Sequence, residues 1–98
     1  MNWDFMSKGY QVRFGRGAQK SLKKIDPNDA RIIMAWINKN LVGCENPYIY
    51  GKSLKGNLKD KWRNRIGDYR LICNIDEEKT LILILETGHR REIYKWLK

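Results

Sequence analysis

The run Trp62-Arg63-Asn64-Arg65-Ile66-Gly67-Asp68-Tyr69-Arg70 reads as two strands folded about Gly67-Asp68. Side chains alternate between the two faces of a strand, so Arg63 and Arg65 share one face while Trp62, Asn64 and Ile66 share the other. If Ile66 and Tyr69 flank a two-residue turn, Arg65 lies opposite Arg70 and Arg63 opposite Ile72. Three guanidinium groups then crowd one surface. Like charges facing each other across a ladder are destabilising by up to about 1 kcal/mol per pair. Either solvent screens them, as on the wet face of an antiparallel sheet, or an anionic partner neutralises them. Guanidinium forks match phosphate oxygens, so a face of this composition suits a phosphate.

Outward from this hairpin, the chain shows a clear order of elements. Residues 1–9 have no strong period and are expected to form a poorly ordered lead. Tyr10-Gln11-Val12-Arg13-Phe14 alternates apolar with polar and reads as a first strand, which Gly15-Arg16-Gly17 breaks. Ala18, Leu22 and Ile25 recur at helical spacing while Gln19, Lys20, Lys23 and Lys24 stay outside, which predicts an amphipathic helix of about two turns. Asp26 as N-cap and Pro27 at the first helical position open a second helix through Asn40, with Ala30, Ile33, Met34, Ile37 and Leu41 as its stripe. The turn-rich stretch from Gly43 to Gly56 reads as surface loop. Strands follow at 61–66, 69–75 and Thr80 to about Thr87, the last two joined by Asp76-Glu77-Glu78-Lys79. Leu81 to Leu85 is continuously apolar, which predicts burial on both faces. Gly88 is expected to end that strand or to bulge it. The fold class is therefore α+β: an N-terminal strand, a helical hairpin, and a three-stranded antiparallel meander in one small sheet, with a short C-terminal segment.

Composition bounds the function. A length of 98 residues suits a single domain over 1–98 with one modest core, and 42% hydrophobic content argues for a folded chain. Twenty Lys and Arg against eleven Asp and Glu give a net charge of +9, which favours an anionic partner such as nucleic acid. No apolar run suits a transmembrane helix, and the N-terminus lacks the pattern of a signal peptide, so a cytoplasmic chain without membrane contact is expected. Cys44 and Cys73 are too few for a disulfide framework or a zinc site and read as buried free thiols.

Five stretches together carry a resemblance. Tyr10-Gln11-Val12-Arg13-Phe14, the helix with Ala18 and Leu22-Lys23-Lys24-Ile25, the loop Gly51-Lys52-Ser53-Leu54-Lys55-Gly56, the arginine hairpin from Trp62 to Arg70, and Gly88-His89-Arg90-Arg91-Glu92-Ile93-Tyr94 resemble a RelE-type toxin of the RelE/ParE superfamily in order and spacing. The resemblance implies a RelE-like fold and a cytoplasmic toxin of a type II toxin–antitoxin system. It implies a cognate RelB-like antitoxin, with operator DNA met only through the antitoxin complex. For the RelE branch it implies an endoribonuclease that cuts mRNA in the ribosomal A site. No metal or other cofactor is implied.

Metal-independent RNA cleavage uses the ribose 2′-hydroxyl as an internal nucleophile, so the protein must take its proton, hold the phosphate in line and neutralise the developing charge. Arg63, Arg65 and Arg70 suit the last task and, with pKa values of about 12.5 or above, none is a base. The base is expected from the C-terminal segment, where Tyr94, His89 and Glu92 stand. The resemblance favours Tyr94, gives Arg90 a contact to the scissile phosphate or the leaving oxygen, and gives Arg70 a phosphate. Nearby guanidinium groups lower a phenol from its usual value of about 10. Tyr94 has two alternatives, stacking on a base or packing on the tail. His89 titrates most readily as a residue type, but a strand would turn it away from Arg90, which leaves it a minor candidate. Arg63 and Arg65 stand where better-known members often carry lysine, which removes any lysine-dependent proton transfer there.

Lys52, Lys55, Lys59 and Lys61 either track an RNA backbone or are solvated, whereas Lys20, Lys23 and Lys24 read as the wet face of the first helix. Two other functions share this pattern: a ParE-like gyrase poison, and a co-repressor that binds nucleic acid without cutting it. With a tight turn after Asp76, strand parity puts Arg90 on the far side from the other arginines unless a bulge intervenes.

Overall fold

The computed structural model describes residues 9–56 and 60–93. The elements are β1 (Gln11–Phe14), α1 (Arg16–Lys24), α2 (Pro27–Asn40), β2 (Lys52–Ser53), β3 (Lys61–Ile66), β4 (Tyr69–Asp76), β5 (Leu81–His89) and α3 (Arg90–Ile93). They build one five-stranded sheet in the order β1-β5-β4-β3-β2, with β1 parallel to β5 and every other pair antiparallel. This is the expected α+β architecture of strand, two helices and meander, enlarged by a short strand at one edge.

The β3–β4 hairpin has the expected register: Ile66 pairs with Tyr69, Arg65 with Arg70 and Arg63 with Ile72. Gly67 supplies the positive φ of 59° at the first turn position, the geometry whose twist matches that of the flanking strands. Alternation then sends Ile66, Leu71 and Cys73 toward the helices, where Ala18, Ile33, Ile37 and Leu41 pack on them together with Ile82 and Ile84 of β5. Burying each large aliphatic side chain is worth about 1.5–3 kcal/mol, so this layer dominates the stability of the fold. Asp26 caps α2 as expected, its carboxylate accepting from Asn28 N–H at 2.8 Å.

A smaller cluster forms on the opposite face from Leu54, Ile72 and Ile93, with Leu85 against it. Its origin is a bulge. Ile72 pairs with Glu86 and Cys73 with Ile84, so Leu85 is the extra residue of β5. The bulge expected at Gly88 therefore lies three residues earlier, and Gly88 sits in the ladder opposite Arg70. Burial of the apolar run is also less than expected: Ile82 and Ile84 are buried, whereas Leu81, Leu83 and Leu85 are half-buried because only one end of the second face is covered.

Three boundaries differ from the sequence reading. The first helix begins at Arg16, inside the supposed glycine break, because Gly17 is used for close approach: a Cβ there would lie 3.0 Å from Leu85 O. β5 begins at Leu81, since Thr80 takes a left-handed φ of 51° and closes the turn. The loop before residue 56 contains β2, where Lys52 pairs with Arg63 and Ser53 with Trp62. Gly51 makes that pairing possible. At φ +85°, a Cβ on it would fall 2.1 Å from Arg63 O. Tyr50 O, just before it, accepts from Trp62 Nε1 and, at 3.0 Å, from Asn64 Nδ2. Among the described residues no helix is long and apolar enough to cross a membrane.

Gly51→Ala is therefore expected to cost at least twice as much stability as Gly43→Ala in urea unfolding. Gly43 has φ +77° but nothing within 4 Å of an added Cβ, so it should show only the left-handed penalty of about 1–2 kcal/mol. Equal losses would contradict the backbone contact between Gly51 and β3.

Candidate phosphate-binding site

The site grows from the parity of the hairpin. Arg63 and Arg65 of β3 and Arg70 of β4 share the sheet face that carries Ile72, and Lys52, paired with Arg63, joins them from β2. Arg70 is buried, with 8% of its surface exposed. Its Nη1 donates to Gly67 O and Tyr69 O, each at 3.0 Å, which pins the guanidinium against the turn. Burial, followed by the charges of Arg65, Arg63 and Arg90, depresses the Arg70 pKa below its usual value, and Asp68 acts weakly the other way. Three other arginines thus lie close enough for their charge to be felt at one buried guanidinium. Among the described residues the one ion pair is Lys61–Asp60, at 3.0 Å, so no carboxylate closes on this cluster.

Arg90 reaches the cluster through α3. Arg90 N–H donates to Asp68 O at 2.8 Å, and Arg91 N–H donates to His89 Nδ1 at 3.2 Å. Ile93 then folds onto Ile72 and Leu54 on the arginine face. The return passes directly over Gly88, where Ile93 Cγ1 would meet an added Cβ at 3.5 Å, an ordinary van der Waals contact. The parity problem is resolved by the bulge at Leu85 and by the end of β5 at His89.

His89 goes the other way. It pairs with Tyr69 and meets that ring edge-on at a centroid distance of 5.7 Å on the helix side. There Tyr69 OH donates to Asp29 Oδ2 at 2.8 Å, the main reason its phenol pKa is raised. A cavity of about 350 Å³ opens beside Asp29, Asp68, Tyr69 and His89. The structure therefore separates His89 from the arginines. Lys55 is exposed, and Lys61 shares the face of Arg63 but is engaged by Asp60. Glu92 is exposed on α3, its Oε1 3.8 Å from a Cβ built on Gly88. Lys59 and Tyr94 lie outside the described residues.

The sequence reading missed Asn64. It is buried, with Nδ2 on Tyr50 O and Oδ1 accepting a weak bond from Cys73 Sγ at 3.6 Å, and so ties β2, β3 and β4 together behind the site. The available signal was an amide between Trp62 and Ile66 on the apolar side of a strand. Cys73 is buried as expected, and burial pushes its thiol up to about 12, which keeps it protonated and inert. Cys44 is half-buried.

Residues 12–94 match the family model described as the ParE toxin of the type II toxin–antitoxin system parDE. The chain is a RelE-type toxin of the RelE/ParE superfamily. Toxin RelG of Mycobacterium tuberculosis is 34% identical over 86 residues, covering 88% of this chain and 97% of that protein. The toxin–antitoxin complex RelBE2 of Mycobacterium tuberculosis contains a chain 32% identical, with a TM-score of 0.77 over 86% of this chain and 94% of its own. A free mutant RelE toxin of E. coli shares the fold at a TM-score of 0.70, with 22% identity over 91% of this chain and 94% of its own. The RelE-like framework thus carries Arg63, Arg65 and Arg70 together on one face of its sheet in this chain.

Arg70→Met removes a desolvated cation from among three others at the loss of two bonds to turn carbonyls, so its stability should stay within about 1 kcal/mol of wild type. Inorganic phosphate should raise the melting temperature of the wild type and do so far less for the variant. Equal phosphate-induced shifts in thermal scans would contradict an anion site at Arg70.

Proposed function

We propose that this toxin is a metal-independent, ribosome-dependent mRNA endonuclease that cuts in the A site. The observation that carries the reading is Arg70, a buried guanidinium within reach of the charges of Arg65, Arg63 and Arg90 and without a carboxylate partner among the described residues. A cluster of this kind is costly in the empty fold and favourable only around an anion.

In the proposed step, the 2′-oxygen attacks the adjacent phosphorus and the bond from phosphorus to the 5′-oxygen of the next nucleotide breaks. The products are a 2′,3′-cyclic phosphate and a 5′-hydroxyl. Arg70, braced on the turn, sits at the centre of the charge that develops on the phosphoryl oxygens. Arg63 and Arg65 approach from β3 and Arg90 from α3, so the dianionic phosphorane meets cations from two directions. Tyr94, next in sequence after Ile93, takes the 2′-hydroxyl proton as its phenolate, and solvent water gives the departing 5′-oxygen the proton that makes it a hydroxyl while the phenol returns its own proton to solvent. Lys52, Lys55, Lys59 and Lys61 follow the RNA backbone beyond the scissile bond. The RNA supplies its own nucleophile, and the ribosome holds the strand in line.

The protein acts in the cytoplasm and is neutralised by a RelB-like antitoxin, a partner class supported by the relatives solved as RelB–RelE complexes. The description of the matched family model favours a second reading, poisoning of gyrase in the manner of ParE.

Primer extension on mRNA from a translation reaction containing this chain distinguishes the two. Codon-linked cuts are expected only with ribosomes present. Arg70→Ala or Arg90→Ala should slow cutting by about 10²–10³-fold, and Tyr94→Phe should slow cutting more than it weakens ribosome binding. Uncut message together with persistent gyrase–DNA cleavage complexes would replace the nuclease reading with the second one.

A further inference from the structure

α3 is a single turn, and both of its leading backbone donors are engaged. Arg90 N–H donates to Asp68 O at 2.8 Å, and Arg91 N–H donates to His89 Nδ1 at 3.2 Å. His89 thus caps the helix with its own side chain. Two other side chains in this fold accept across the same spacing: Asp26 Oδ1 from Asn28 N–H at 2.8 Å, and Asn46 Oδ1 from Tyr48 N–H at 2.9 Å. There the acceptor is a carboxylate or amide oxygen. At His89 it is an imidazole nitrogen, which accepts only while the ring is neutral and carries its proton on Nε2. Of the three contacts, this one alone is switched off by a proton near neutral pH.

The ring also has somewhere else to go. His89 is half-buried, and it borders the cavity of about 350 Å³ together with Asp29, Asp68 and Tyr69. Charged and titratable groups surround it. α2 brings Asp29, and Asp26, whose charge is felt at Tyr69; the turn brings Asp68; β4 brings Tyr69; and α3 brings Glu92, Arg90 and Arg91. Neither Asp29 nor Asp68 is in an ion pair among the described residues. A protonated ring would set Nδ1–H against Arg91 N–H, donor to donor, with its charge next to Arg90 and Arg91. The cavity would meet the same ring with two carboxylates. Tyr69 stays neutral throughout, because its bond to Asp29 raises the phenol pKa.

The geometry points to His89 as a proton-sensitive positioning residue. Neutral, it holds the first turn of α3, and with it Arg90, at the phosphate site. Protonated, it turns toward Asp29 and Asp68 and releases that turn. The inference rests on the reading above in which Arg90 meets the phosphate, and not on RNA cleavage. α3 keeps two other anchors, Asp68 O on Arg90 N–H and Ile93 against Leu54 and Ile72, so losing the cap loosens the turn without unfolding the sheet. Loss of one helix cap corresponds to about a fivefold shift in population. A single helical turn is marginal by itself, so that shift passes into the hold on Arg90. The expected sign runs against simple electrostatics, by which an added positive charge strengthens the grip on an anion. His89 is the one histidine of the chain, and burial raises the thiols of Cys44 and Cys73. An effect of mild acid on binding is therefore traceable to this ring.

The test uses the full chain and a short RNA methylated at the 2′-oxygens, which binds without being cut. Wild-type affinity should fall about fivefold between about pH 7 and about pH 5.5, an interval in which free carboxylates keep their charge. His89→Asn restores an oxygen acceptor at the same spacing, so it should bind like the wild type at the higher pH and lose nothing at the lower. His89→Leu should bind at both as weakly as the wild type does in acid. Nitrogen-15 spectra of the wild type should show the Nε2–H tautomer near neutral pH, with a scalar coupling from His89 Nδ1 to Arg91 N that disappears in acid. A neutral ring carrying its proton on Nδ1 would overturn the inference, and this measurement decides the matter even if neither variant folds. Affinity that rises in acid, or that falls equally in the wild type and a folded His89→Asn variant, would overturn it as well. Primer extension on translated mRNA is scored separately, and uncut message counts against the nuclease reading alone, because the methylated RNA reports binding only.

Discussion

Repulsion among guanidinium groups is the constraint around which this molecule is arranged. A two-residue turn at Gly67-Asp68 fixes the register that sets Arg65 against Arg70, and the same register puts Arg63 on their face. Left to themselves, these side chains would swing apart into solvent. Arg70 is prevented from doing so by its two bonds to the turn carbonyls, Gly67 O and Tyr69 O. The site is therefore preorganised before any anion arrives, which is the condition under which charges stabilise a transition state with little reorganisation.

The apolar layers make that repulsion tolerable. Ile33, Ile37 and Leu41 of the α2 region pack on Leu71, Cys73 and Ile84 across the helix face, and this core holds β3, β4 and β5 in register whatever the opposite face contains. On the arginine face, the Leu85 bulge lets Leu54, Ile72 and Ile93 form a small apolar patch. Ile93 anchors α3 there, and α3 carries Arg90. One extra residue in β5 is thus linked to the presence of a fourth arginine at the site.

Much of this was legible in the sequence. The hairpin register followed from Gly67-Asp68 and strict alternation, and α2 followed from Asp26, Pro27 and its apolar stripe. The features that escaped depend on contacts between distant segments. β2 is only Lys52–Ser53, too short to show a period, and it exists because Gly51 lets the backbone lie on Arg63 O. The bulge at Leu85 hides inside an unbroken apolar run in which no position looks special. Gly17 read as a break because closeness to Leu85 O leaves no mark in local sequence. For the site, Arg63, Arg65 and Arg70 were readable from parity, whereas the approach of Arg90 depended on the hidden bulge. Asn64 needed Tyr50 O as a partner from a loop that reads only as turn-forming.

The central claim is that four arginines from two directions meet one phosphate. Arginine Nε–Hε NMR signals, followed while a short RNA methylated at the 2′-oxygens is added, test it without any cleavage taking place. The account predicts that the signals of Arg63, Arg65, Arg70 and Arg90 shift together along a single binding curve. Shifts confined to the exposed lysines and α1, with the Arg70 signal unmoved at saturation, would contradict it.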